Sequence, residues 1–112
     1  MKFENHDFDH AILSYADHLV ADYNRYANFN VDTPESLTKY SVEFVKGSKF
    51  LKVVGVSWGS RSAHSFICVK ANGKFKFGDI LKAASWASPA KNFSRGNVLD
   101  TDSYKTVRWA GC

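Results

Sequence analysis

The stretch YSVEFVKGSKFLKVVGVSWGSRSAHSFICVKANGKFKF, residues 40–77, decides the fold. Tyr40, Val42 and Phe44 alternate with Ser41 and Glu43, the period-two pattern of a half-buried strand. Lys46-Gly47-Ser48-Lys49 reads as a turn. Residues 50–58 are β-rich, with Phe50, Val54, Val56 and Trp58 expected on one face. Gly59-Ser60-Arg61-Ser62 turns again, and residues 63–70 read as a third strand, with Phe66 and Cys68 on one face and Ile67 and Val69 on the other. Asn72-Gly73 is the pair that a two-residue type I′ hairpin prefers, because both residues tolerate positive φ. It predicts a fourth strand, Lys74-Phe75-Lys76-Phe77, with the lysines on one face and the phenylalanines on the other.

Outward from this meander, the helical signals lie at either side. Phe8, Ile12, Tyr15, Ala16, Leu19, Tyr23 and Tyr26 recur at steps of three and four, so they share one stripe of a helix capped by Asp7 or Asp9. Asp17, Asp22 and Arg25 fall off that stripe. Residues 28–35, with Asp32-Thr33-Pro34, read as a loop, since Pro34 cannot continue a helix. After the strands, Asp79 is expected to cap a second short helix through Ala87, ended by Ser88-Pro89. Residues 90–97 read as a loop, Asp100 to Ser103 as a turn and Tyr104 to Trp109 as a last short strand. The expected class is α+β: one domain over residues 1–112, with a long N-terminal helix packed on a mostly antiparallel four- to five-stranded sheet and a second short helix.

Charge is divided along the chain. Residues 1–43 carry three basic and eight acidic side chains, a net of −5; residues 44–112 carry twelve basic and three acidic, a net of +9. Such single-sign segments recruit counter-charged partners. Ten cations lie between Phe44 and Arg95, against one acid, Asp79. No run of residues has transmembrane length and the N-terminus is too polar for a secretory signal, so neither a membrane nor an export role is expected. Two cysteines, Cys68 and Cys112, make no disulfide framework, which fits a cytoplasmic setting.

Two groups of residues suit an anion. The segment from Ser85 to Asn97 interleaves Trp86 and Phe93 with hydroxyls, amides and cations. Lys91 and Arg95 can neutralise phosphate, Trp86 or Phe93 can stack a base, and Asn92, Ser94 and Asn97 can orient the ligand. The competing structural role is that the two rings are core and the polar groups are caps. The second group is Lys52, Arg61, Lys70, Lys74 and Lys76, expected to line a basic sheet face that tracks nucleic-acid phosphates. Lysines also blunt exposed strand edges, although edge protection does not require so few acids. Trp58-Gly59-Ser60-Arg61-Ser62 places one arginine beside a tryptophan, as a hairpin loop with a solvated arginine also does.

No catalytic set and no metal set is expected. His6 and His10 have helical i, i+4 spacing but lack further ligands. His64 and Cys68 are expected on one strand face, four residues apart and too distant for a nucleophile–base pair. No cofactor motif is present.

The run KFKFGDILKAASWASPAKNFSRGNV, residues 74–98, and the ending Val107-Arg108-Trp109-Ala110-Gly111 resemble a family of small accessory proteins of tailed bacteriophages. That resemblance carries no functional residue. It implies a context, the host-cell cytoplasm, in which proteins of this size bind host nucleic acid, host proteins or host immune signals. The order of helices and strands is also similar to the double-stranded RNA-binding domain. That domain starts its second helix with a lysine cluster, where this chain has Gly78-Asp79 with Lys82 alone. The expected function is therefore non-enzymatic binding of a phosphorylated ligand, such as a nucleotide signal of host defence sequestered by a phage protein. The alternatives are nucleic-acid binding through the basic sheet and inhibition of a host enzyme by the acidic helix face of Asp9, Asp17 and Asp22. A homo-oligomer and a host protein are the further partners expected.

Overall fold

The computed structural model describes residues 6–27, 40–57, 59–71, 74–91 and 93–109. Helix α1 spans His6–Ala27, and four strands follow: β1 Tyr40–Lys46, β2 Phe50–Ser57, β3 Ser60–Cys68 and β4 Ile80–Lys82. The sheet order is β1-β2-β3-β4 and every pairing is antiparallel. The architecture is α+β. The loop expected at residues 28–35, the Asn72-Gly73 turn, Trp58, Asn92 and Cys112 lie outside the described residues.

Helix α1 lies on one face of the sheet because its stripe and the strands' alternate residues are apolar together. Phe8, Ile12, Tyr15, Leu19 and Tyr23 pack with Tyr40, Leu51, Val53, Ile67 and Ile80 in one core. Val98, Tyr104 and Val107 of the C-terminal segment close it. Each fully buried large side chain contributes about 1.5–3 kcal/mol. Asp9 lies within the first turn of α1, not before it, since the helix already begins at His6. There a carboxylate meets the positive end of the helix dipole.

The structure departs from the sequence reading at three places. Residues 80–82 form β4, not the start of a second helix, and Ser65, Phe66 and Ile67 of β3 pair with Lys82, Leu81 and Ile80. Local alanine content favours a helix, but an unpaired β3 edge and two-sided burial favour a strand, and tertiary pairing overrides propensity. Ile80 enters the α1-side core, while Leu81 joins Cys68 and Phe75 on the other side. Asp79 therefore caps no helix. Its carboxylate accepts from the backbone N–H of Lys76 at 2.8 Å and from Asn97 Nδ2 at 3.0 Å, which closes the 76–79 turn.

That turn also breaks the expected strand at residues 74–77. Phe75 and Phe77 do not share a face: Phe75 packs with Leu81, and the Phe77 ring lies 4.6 Å from Phe8 in the other core. The third departure is at residues 104–109. A 3-10 helix, Thr101–Tyr104, capped by Asp100, replaces both the expected turn and the start of the last strand. The irregular segment beyond it is tied to α1 by side chains: His18 Nε2 donates to the Val107 carbonyl at 2.8 Å. The Asp22 carboxylate accepts from Arg108 and from the Trp109 N–H, both at 3.0 Å. Asp22 is thereby buried, so it cannot act with Asp9 and Asp17 as an exposed acidic face.

Candidate anion-binding face

The sheet face opposite α1 carries the alternate residues. Phe50, Lys52 and Val54 of β2 sit across from Cys68, Phe66 and Ala63 of β3. The register shifts between Val53 and Val54, because β3 has one residue more than β2 there. His64 is that extra residue. A bulge of this kind turns two successive side chains to one side, so His64 and Ser65 both meet Tyr15 on the α1 side. Cys68 remains on the open side with Phe75 and Leu81. The expectation that His64 and Cys68 share a face fails for this reason. Burial also pushes the Cys68 thiol up, which keeps it protonated and unreactive.

A hairpin-like turn at the end of β4 brings Trp86 to this open face. The Ala84 N–H donates to the Ser88 carbonyl at 2.9 Å and the Ala90 N–H to the Lys82 carbonyl at 2.7 Å, so Ser88-Pro89 folds back beside β4. The polar residues of 83–90 thus serve a turn, in place of the helix expected there. Trp86 is 47% exposed. Lys52 Nζ lies 4.1 Å from its ring centroid, and the Arg61 guanidinium carbon 5.8 Å. Arg61 is held from the other side by Glu43, at 2.9 Å.

Two residues along β2 from Lys52, Phe50 carries Lys91 over its ring at 5.8 Å. Lys74 Nζ donates to the Lys91 carbonyl. These contacts form one continuous stripe: Arg61, Trp86, Lys52, Phe50, Lys91, Lys74. Beside it, the β1–β2 turn and Ala87 and Pro89 enclose a groove of about 310 Å³, with Lys46, Lys49, Phe50 and Lys52 among its lining residues.

The structure thus merges parts of the two predicted groups and leaves other parts aside. Trp86 and Lys91 from one join Lys52, Arg61 and Lys74 from the other. Lys70 and Lys76 are exposed beyond the stripe's contacts. Arg95 stacks on exposed Phe93 at 4.2 Å, and its backbone N–H pairs with Ile80 on the outer edge of β4. Ser94 is taken up by its turn, donating to the Gly96 carbonyl at 2.7 Å. Asn97 is taken up by the Phe77 carbonyl, Asp79 and the Leu99 N–H. Both side chains are therefore hydrogen-bonded within the fold. Lys46, Lys49 and Phe50 were not assigned to a site by sequence; the signal was the Lys49-Phe50-Leu51-Lys52 alternation, which puts Phe50 and Lys52 on one face.

The family model that matches the chain covers residues 2–112. The chain belongs to DUF7717, a family of unknown function. No curated protein and no solved structure matches it. The stripe and groove thus fall wholly within the DUF7717 region. Among its described residues, no group of three or more His, Cys, Asp or Glu converges as a metal site, and no helix is long and apolar enough to cross a membrane.

One buried polar chain joins three side chains. His64 Nε2 lies 2.7 Å from the Arg108 carbonyl, which can only accept, so Nε2 carries the proton. Nδ1 then accepts from the Ser65 hydroxyl at 2.9 Å, and Ser65 Oγ accepts from Tyr15 at 2.9 Å. Ser65 is fully buried. Burial lowers the His64 pKa, which keeps the ring neutral. An unfolded chain protonates His64 first as pH falls, so this contribution is complete above about pH 6.5 and declines below it. Urea unfolding at pH 5.5 should therefore show lower stability than at pH 7.5, and His64→Gln should flatten that difference. An unchanged pH dependence in the variant would exclude His64 as the cause.

Proposed function

We propose that this protein is a non-enzymatic binder of phosphorylated anions, and that the ligand is a nucleic-acid strand lying along the open sheet face. The contact stripe from Arg61 through Trp86 and Lys52 to Lys91 and Lys74 carries this reading. Its cations are spread along a line, as a phosphate backbone requires, and do not converge on one point. Trp86 offers a half-exposed ring among them, on which an unpaired base can stack. In keeping with the phage resemblance of residues 74–98, we place this activity in the host cytoplasm during infection.

A second reading has its own support. The groove of about 310 Å³ beside Phe50, rimmed by Lys46, Lys49 and Lys52, has the lining a single nucleotide needs. Sequestration of a nucleotide signal of host defence would use that groove. Binding of a host protein or a second copy of the chain remains an outcome for pull-down and sizing experiments.

Trp86→Ala separates stacking from charge. It should weaken binding of a short labelled single strand about 10-fold, as loss of one stacked base does, with the salt dependence unchanged. Unchanged affinity would remove Trp86 from the site. Tighter binding of a mononucleotide than of the strand would favour the second reading.

A further inference from the structure

A second cavity lies on the α1 side of the sheet, beyond the reach of the basic stripe. It has a volume of about 200 Å³ and is lined by Tyr40, Gly55, Ser57, Ser62, Ala63, His64 and Trp109. Tyr40 is 94% buried (6% exposed), and its hydroxyl has no hydrogen-bond partner among the described residues. A buried hydroxyl left unpaired costs about 1–3 kcal/mol, so such groups are normally satisfied. The ring around it is fixed: Tyr40 stacks on Tyr23 at 4.8 Å and 16°, and Trp109 packs edge-on to both. Gly55 lets the Tyr40 hydroxyl sit directly against β2, since a Cβ there would lie 2.6 Å from the Tyr40 oxygen.

We propose that this cavity binds a small uncharged cyclic amide of single-ring nucleobase size, with the Tyr40 hydroxyl donating to a ligand carbonyl. Three hydroxyl-bearing residues, Tyr40, Ser57 and Ser62, line a space of about seven water volumes at ~30 Å³ each. Trp109 supplies an apolar wall. No lining residue carries a formal charge at pH 7: both nitrogens of His64 are engaged by Ser65 and the Arg108 carbonyl. Burial holds the Tyr40 phenol up at about 12, so it stays a donor at neutral pH. A neutral ligand with carbonyl acceptors matches that donor, and an anion finds no counter-charge. This site is independent of the anion-binding face.

Uracil is a suitable probe, with its 6-carboxylate (orotate) as the charged comparison. Titration followed by amide NMR should give saturable shifts confined to Gly55, Ser57, Ser62, Ala63 and their neighbours. Tyr40→Phe keeps the ring stack and should lower uracil affinity at least about 10-fold, the worth of one buried hydrogen bond, with the melting temperature held or raised. Ser57→Ala, at the half-buried rim, should weaken binding several-fold. Orotate should not compete. No saturable shift with uracil would mean that water alone fills the cavity and would overturn the proposal. Equal affinity in Tyr40→Phe, or equal binding of orotate, would overturn it as well.

Discussion

Exchanging both Lys52 and Lys91 for glutamate is expected to lower the affinity for a single-stranded oligonucleotide about 100-fold at 0.1 M salt. Each phosphate contact to a single strand contributes a salt slope of about 0.7, so one contact is worth about 5-fold between 1 M and 0.1 M salt. Two lost contacts give about 25-fold, and two new carboxylates on the same face add repulsion. The fold should survive, because Lys91 is exposed and Lys52 half-buried, both on the side away from the α1 core. Lys52 lies over Trp86 and Lys91 over Phe50, and such exposed cation–π contacts are worth only about 0.5–1 kcal/mol each. Fluorescence anisotropy with a labelled oligonucleotide, alongside thermal melts, separates loss of binding from loss of structure. Reversal of Lys70 and Lys76 is the comparison: these residues are exposed but lie off the stripe, so a smaller effect is expected.

The largest stability effect expected from one added methyl group is at Gly96. Its φ of 143° lies where side-chain-bearing residues are rarely found, and a Cβ there would sit 2.8 Å from the Ser103 carbonyl oxygen. Strain at such a backbone position costs about 1–3 kcal/mol, and forcing apart packed backbone costs about as much again. Gly96 also sits between the Ser94 turn and β4: its carbonyl accepts from the Ile80 N–H at 2.8 Å and from the Ser94 hydroxyl. Gly96→Ala should therefore destabilise the protein by about 3 kcal/mol. Gly59→Ala is the control. It also has positive φ, 76°, but nothing lies within 4 Å of the added Cβ, so about 1 kcal/mol is expected. Urea unfolding of the two variants should show this difference. Equal costs would mean that the Ser103 contact does not decide the Gly96 effect.

Much of the fold was legible because it depends on local period. The stripe from Phe8 to Tyr23 and the alternation of Tyr40, Val42 and Phe44 each point to one buried face without knowledge of a partner. The faces of Phe50, Val54, Phe66 and Ile67 were legible for the same reason. What escaped depends on pairing. The residues from Ile80 onward have helix-forming composition, and only the free edge of β3 makes Ile80–Lys82 a strand. The bulge at His64 exists only relative to Val53 and Val54, so no single-strand pattern could show that His64 turns away from Cys68. Asp22 lies off the apolar stripe and reads as solvated, yet Arg108 and the Trp109 N–H, more than 80 residues away in sequence, bury it.

The residue types of the candidate face were legible in the sequence, and their arrangement was not. Trp86, Lys91, Lys52, Arg61 and Lys74 were expected to meet an anion, but in two separate groups. Their union depends on the Ser88-Pro89 turn, which carries Trp86 back over Lys52. Ser94 and Asn97 have the right chemistry for ligand contact, but Ser94 bonds the Gly96 backbone and Asn97 bonds the Phe77 carbonyl, Asp79 and the Leu99 N–H.

The most direct test of the anion-binding face is the dissociation constant of a labelled single-stranded oligonucleotide measured between 50 and 300 mM salt, a range chosen around the region where exposed charges are progressively screened. With Arg61, Lys52, Lys91 and Lys74 each on a phosphate, the logarithm of the association constant (1/Kd) should fall against log salt with a slope of about −3, and the Lys52/Lys91 reversal should bring it to about −1. A flat salt response, or a slope that the reversal leaves unchanged in a folded protein, would contradict the assignment of this face to nucleic acid.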